Sequence, residues 1–147
     1  MFDFSAISNV VFAVGRMGTA GAQLTGTAFS LNKSSYFATA SHVAGNDDSG
    51  LVLCFKKLAN LNDYQDTADN SIQTFPVKIA ASDPFHDLAV LKADIPHATN
   101  ISIAGADSAP VGTSISSFGF PHADHGRMVL TRQDTEIGAR VESQSCL

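Results

Sequence analysis

Two residues in this chain have the type and the setting for proton-transfer chemistry, His42 and Asp87. Histidine takes up and returns a proton near neutral pH. Used as a base, its ring needs a carboxylate to fix the tautomer. His42 stands in Thr39-Ala40-Ser41-His42-Val43, just past a predicted strand and among small residues. Asp87 heads Asp87-Leu88-Ala89-Val90-Leu91-Lys92, whose apolar run reads as a short strand. A base and an acid at two strand edges are two parts of a device for nucleophilic catalysis. The third part, a serine or cysteine in a glycine-flanked turn beside oxyanion donors, has no match in the chain.

The elements that must position this pair are short and β-rich. Gly26 to Leu31 reads as a strand, Asn32-Lys33-Ser34-Ser35 as a turn, and Tyr36 to Ala40 as the returning strand. Residues 41–45 then form a single helical turn carrying His42. Upstream, the spacing of Phe4, Ile7, Val10 and Val11 predicts a helical turn running into a strand at Val10 to Val14, with a hairpin loop over residues 15–22. Leu51 to Phe55 is apolar on both faces. Residues 56–71 lack periodicity and read as a long surface loop. Ile72 to Ala81 is a strand whose Pro76 marks an edge or bulge. Beyond Lys92, residues 93–109 read as a connection. Val111 to Phe118 alternates and pairs with Met128 to Thr131, and a further strand begins at Gly138 to Glu142. Frequent turns between short strands predict an all-β architecture.

In this order the stretches resemble the trypsin-like serine proteases, closest to their bacterial HtrA-type branch. Thr39-Ala40-Ser41-His42-Val43 resembles the catalytic-histidine motif and Asp87 to Lys92 the catalytic-aspartate motif. Gly26-Thr27-Ala28-Phe29 is similar to the strand that precedes the histidine. The separation of 45 positions between His42 and Asp87 also fits. Val111-Gly112-Thr113 with Ser117-Phe118-Gly119-Phe120-Pro121 resembles the strand opening the second barrel. The likeness runs from about Val10 to about Val141. It implies an antiparallel Greek-key β-barrel of six strands over residues 1–94, a linker over 95–110, and the start of a second β-barrel over 111–147. It further implies a serine endopeptidase in the complete protein, acting on a polypeptide substrate without cofactor or metal. His42 would be the general base and Asp87 the acid that orients it. Ala38, Ala40 and Ala44 are small enough for close approach to the ring, and Leu88, Val90 and Leu91 would anchor the aspartate from the core.

The family places its serine in Gly-Xaa-Ser-Gly-Gly, a motif this chain lacks. Ser117 falls in the second barrel's first strand, where packing or surface roles are expected. Cys146 shares only its residue type with the cysteine nucleophile of viral relatives, because no glycines flank it. The resemblance sets Gly138 to Glu142 near the strand ahead of the serine loop. The expectation is therefore a fragment, one of two chains, or a protein that has lost its chemistry, and the intact His and Asp motifs favour the first two. These residues alone are expected to be inactive, and to pair with a missing C-terminal half or with themselves. The competing class is a non-catalytic binding or structural module on the same fold.

Composition narrows the field. A chain of 147 residues with 44% apolar content holds one good core or two small ones. A net charge of -5 argues against nucleic-acid or anionic-membrane partners. No stretch approaches a membrane span. The start, Met1-Phe2-Asp3-Phe4, carries an acid where a signal peptide carries basic residues, so the expected location is cytoplasmic or left open. Cys54 and Cys146 are too few for a disulfide framework, and Cys54 reads as a buried free thiol. Asn60, Asn62, Asp63, Asp66, Asp69 and Asn70 cluster, but not at calcium-loop spacing. His122, Asp124 and His125, with His97, fall short of a zinc motif, and His86 reads as a surface histidine.

Overall fold

A computed structural model describes residues 4–31 and 33–142. The chain opens with a 3-10 helix, Phe4–Asn9. Nine strands follow among the described residues: β1 Val11–Gly18, β2 Gly21–Ser30, β3 Tyr36–Thr39, β4 Leu51–Phe55, β5 Gln73–Pro76, β6 Lys78–Asp83, β7 Leu88–Lys92, β8 Ser114–Gly119 and β9 Thr131–Glu136. A one-turn helix, α1 Ser41–Ala44, follows β3. Seven strands make one antiparallel sheet in the order β5-β4-β1-β2-β3-β7-β6, and β8 pairs with β9 in a second. The outer strands β5 and β6 are consecutive in the chain, with Val77 alone between them. The sheet therefore curls until its edges meet at that corner, where the Val77 N–H donates to Leu51 O at 3.1 Å.

This corner explains why seven strands stand where the sequence predicts six. Pro76 has no N–H to continue a ladder. The predicted strand 72–81 breaks there into one half on β4 and another on β7.

The curl encloses Phe12, Val14, Ala28, Phe37, Leu51, Leu53 and Leu91, each at most 1% exposed. Phe12 and Phe37 meet edge to face at 5.3 Å, the geometry that aromatic quadrupoles prefer. Alternate residues of β1 and β4 point the other way. Val11, Ala13, Val52 and Cys54 pack with Ile7, Phe120, Ala123, Met128 and Leu130 in a second cluster. Strand β4 and residues 11–15 of β1 are thus buried on both faces, which is why Leu51 to Phe55 carries no polar alternation. The segment 120–130 is what covers their outer face.

Several boundaries differ from the sequence reading. The expected loop at 15–22 is mostly ladder, with β1 and β2 joined across Thr19-Ala20. Gly21, at φ 107°, supplies the left-handed backbone that so tight a turn needs. The partner of β8 is Thr131–Glu136 rather than 128–131, because Met128 and Leu130 are drawn into the second cluster. Residues 138–142 form no strand. The ladder's last bonds run between Ile137, Thr113 and Gly112, and Arg140 instead meets Asp107 at 3.2 Å. The loop 56–71 is tied down by Gln65, whose amide both donates to Leu130 O and accepts from Leu130 N–H at 2.8 Å. Cys146 lies outside the described residues, and so does Asn32 of the predicted turn.

One glycine governs how α1 sits. A Cβ at Gly26 in β2 would lie 2.8 Å from both methyl carbons of Val43 in α1. Gly26→Ala is expected to destabilise the fold by about 1–3 kcal/mol, the usual range for overpacking. Removing the clash with Val43→Ala in the same chain should recover part of that loss. Urea unfolding of both variants checks it, and equal losses would refute the contact.

Candidate active site

The site grows out of one strand register. Strand β3 runs antiparallel to β7 with Tyr36 opposite Lys92, Phe37 opposite Leu91, Ala38 opposite Val90 and Thr39 opposite Ala89. Continuing past the last pair sets the residues after β3 opposite those before β7. His42 follows β3 on α1, and Asp87 precedes β7 at the end of the Pro84–Asp87 turn.

The Asp87 carboxylate spans two donors of one residue. Its Oδ1 accepts the His42 backbone N–H at 2.9 Å, and its Oδ2 meets His42 Nδ1 at 2.6 Å. These bonds from His42, backbone first and ring second, lower the Asp87 pKa below its ordinary 3.8. An ionised carboxylate only accepts, so the neutral ring carries its proton on Nδ1 and presents the Nε2 lone pair. Among the described residues no serine or cysteine hydrogen-bonds to that ring. The His42 and Asp87 side chains are 74% and 49% exposed.

A single helical turn cannot hold itself together, so α1 depends on its surroundings. Ala44 is fully buried. The Ser41 hydroxyl lies 3.1 Å from that of Ser82 on β6. Arg16, on β1, donates to the carbonyls of Ala44 at 2.9 Å and of Asp47 and Ser49 at 2.8 Å. This guanidinium satisfies the open C-terminal end of α1 and braces the loop behind it. Beneath lies Thr27. Its carbonyl accepts the Thr39 hydroxyl at 2.7 Å, and its own hydroxyl accepts the Phe120 N–H at 3.0 Å. The strand next to the histidine is thereby joined to the start of the segment that connects β8 to β9.

Asp87 has φ 54°, in the left-handed region that aspartate enters more readily than most side chains. Of its expected anchors only Leu91 is fully buried, with Val90 half-buried. Leu88 is 58% exposed, a correction to the expected core role. Alternation along β7 turns Leu88 outward when Ala89 and Leu91 turn in.

The remaining candidates separate. His86 is exposed as expected, but its Nδ1 lies 2.6 Å from Asp83 Oδ2. His97 packs on Phe55 and Phe75 at 4.1 and 5.6 Å, away from the His122–His125 turn it was considered with. Among the described residues no three histidine, cysteine or acidic side chains converge as a metal site. Asp66 and Asp69 accept the N–H groups of Ala68 and Ser71 and serve as turn formers. Ser117 is exposed on β8 with its hydroxyl toward Gln133 O. Cys54 is buried and free, and burial pushes its thiol up to about 11, which makes it inert. No described helix is long and apolar enough to cross a membrane.

Sequence reasoning missed Arg16, Gln65, Thr27 and Asp83. Only Asp83 left a local sign, because Asp-Pro is a common opening of a turn.

The sequence profile of the trypsin-like peptidase domain family matches residues 26–144. The solved structure of HtrA-type protease AlgW with decapeptide superposes with a TM-score of 0.68 at 16% identity, covering 96% of this chain and 46% of that one. HtrA-type protease AlgW with tripeptide gives 0.65 at 20% identity, covering 95% of this chain and 40% of that one. The chain thus spans less than half the length of either structure. At these identities the likeness is one of fold. No curated protein sequence matches.

The carboxylate bonds set a pH dependence. A folded-state pKa lowered below the unfolded value stabilises the protein above the unfolded pKa, and that contribution is lost as pH falls through the folded value. Carboxyl-carbon NMR should therefore show Asp87 titrating below 3.8. Against Asp87→Asn, any stability advantage of the parent attributable to this group should be present near neutrality and shrink in acid. An Asp87 midpoint at or above the ordinary value would contradict the bidentate arrangement.

Proposed function

This chain belongs to the trypsin-like peptidase domain family, and from that premise we infer that the complete protein is a serine endopeptidase. The observation that carries this reading is the Asp87 carboxylate gripping both the backbone and the ring of His42. In the proposed mechanism His42 Nε2 takes the proton of a serine hydroxyl as that oxygen attacks a peptide carbonyl. The imidazolium so formed is stabilised by Asp87 and returns the proton to the leaving amine. Water then repeats the sequence on the acyl-enzyme. Asp87 stays ionised throughout and keeps the ring in the tautomer that exposes Nε2.

The serine and the oxyanion donors come, in this proposal, from polypeptide outside these 147 residues. The tripeptide and decapeptide named with AlgW belong to that protein; a polypeptide substrate is the corresponding proposal for this one. The open face around His42, and the outer edges of β8 and β9, are where the remaining part would seat. A base without a positioned nucleophile activates water poorly, and oxyanion stabilisation is commonly the largest catalytic contribution. The 147-residue chain is accordingly proposed to be inactive by itself.

Two measurements test the reading. The purified chain, given unstructured casein and a serine-reactive fluorophosphonate, should show neither turnover nor labelling. Turnover that His42→Ala abolishes, or a labelled serine within these residues, would overturn the claim of inactivity. In the complete protein, His42→Ala and Asp87→Asn should each lower kcat by on the order of 10⁴-fold or more with KM little changed. A complete protein that labels with nothing and cleaves nothing would favour the non-catalytic module.

A further inference from the structure

Beside the His42–Asp87 pair stands a second aspartate–histidine pair with the same pattern of bonds. Asp83 Oδ1 accepts the His86 backbone N–H at 3.2 Å, and Asp83 Oδ2 meets His86 Nδ1 at 2.6 Å. In each pair one carboxylate spans the backbone N–H and the ring Nδ1 of a single histidine. The second pair closes the turn on which Asp87 stands. Asp83 is the last residue of β6, Pro84 to Asp87 form the turn, and Leu88 opposite Asp83 resumes the ladder. Pro84 fixes one backbone angle at the start of the turn. The Asp87 N–H reaches back to Pro84 O at 3.3 Å. The His86 ring also packs edge-on against Phe85, with centroids 4.9 Å apart and planes at 84°.

We propose that His86 and Asp83 are positioning residues: their bond holds the 83–87 turn in the one shape that lets Asp87, in its left-handed conformation, reach both donors of His42. The inference rests on reading His42 and Asp87 as base and orienting acid. It assigns His86 no contact with substrate. Both side chains are half or more exposed, so the pair adds little to global stability. Its effect is local. An open turn lets Asp87 relax from φ 54° toward the common backbone regions, and its two carboxylate oxygens then cannot both stay on His42. The neighbouring Ser82–Ser41 hydroxyl contact ties the same hairpin to α1, so the turn and the helical turn are registered at two points.

The test reads the His42 tautomer in the 147-residue chain by long-range nitrogen–proton NMR, at a pH where the ring is neutral. It needs neither the nucleophile nor a substrate. The parent chain should show the proton on Nδ1. Asp87→Asn is the control. Its amide oxygen should keep the His42 backbone N–H, which turns the amide nitrogen toward the ring and forces the proton to Nε2. His86→Ala should lose the Nδ1–H majority and shift toward Nε2–H, with the amide signals of Phe12, Phe37 and Leu91 unmoved. Asp83→Ala should do the same. His86→Asn, whose amide nitrogen stands where Nδ1 stood, should restore the parent tautomer. An unchanged tautomer in both His86→Ala and Asp83→Ala, with the control behaving as stated, would overturn the brace and leave the proposed function standing. A parent chain already in the Nε2–H form would overturn the brace and the pair together. Failure of the complete protein to cleave peptides would count against the function alone.

Discussion

The β3–β7 register is the constraint on which the rest of the site depends. It sets Thr39 opposite Ala89 and so delivers the end of one strand and the start of the other to the same spot. A shift of one residue would turn Phe37 and Leu91 out of the core, because side chains alternate faces along a strand. Burial of those two residues therefore specifies where His42 and Asp87 can meet. The hydrophobic core and the polar pair are fixed by one choice of pairing.

A second constraint comes from the opposite wall. Strand β4 and residues 11–15 of β1 have no solvent face, and the 120–130 segment covers their outer side through Phe120, Met128 and Leu130. Thr27 links that packing to the histidine strand through its carbonyl and its hydroxyl. Gly119 is part of the same junction, since a Cβ there would stand 3.1 Å from the Thr27 hydroxyl. The start of the second sheet is thus attached to the first at a defined place, even though β8 and β9 remain a two-stranded sheet among the described residues. The pair itself stays open to water, where charge interactions are strongly weakened. A covering element would exclude that water and strengthen every interaction between base, acid and reacting groups.

Much of this was legible because the signals are local. Leu51 to Phe55 announced a doubly buried strand by lacking polar alternation, and Pro76 announced an edge or bulge at the place where the structure turns the corner of the sheet. Where prediction slipped, a distant contact had overridden a local preference. Met128 and Leu130 looked like strand residues, yet the second cluster claims them. Leu88 looked like core, yet its place in the alternation turns it outward. The run 15–22 looked like a loop because its glycines are conspicuous, though Gly15 and Gly18 lie in the ladder and Gly21 begins its return strand.

By itself the sequence determined which residues could do chemistry, the strands that carry them, and the family to which they belong. Each of those is written in contiguous residues: a histidine after a strand, an aspartate before one, small or apolar neighbours in between. What only the tertiary structure decided is how the pair is held. Arg16 caps α1 from 28 positions away, and Asp87 reaches His42 across 45. Even Asp83 and His86, three positions apart, become meaningful only once the turn they close is seen to carry Asp87. A side chain's partner across the fold depends on where the packed backbone brings it, and no run of neighbouring residues encodes that placement alone.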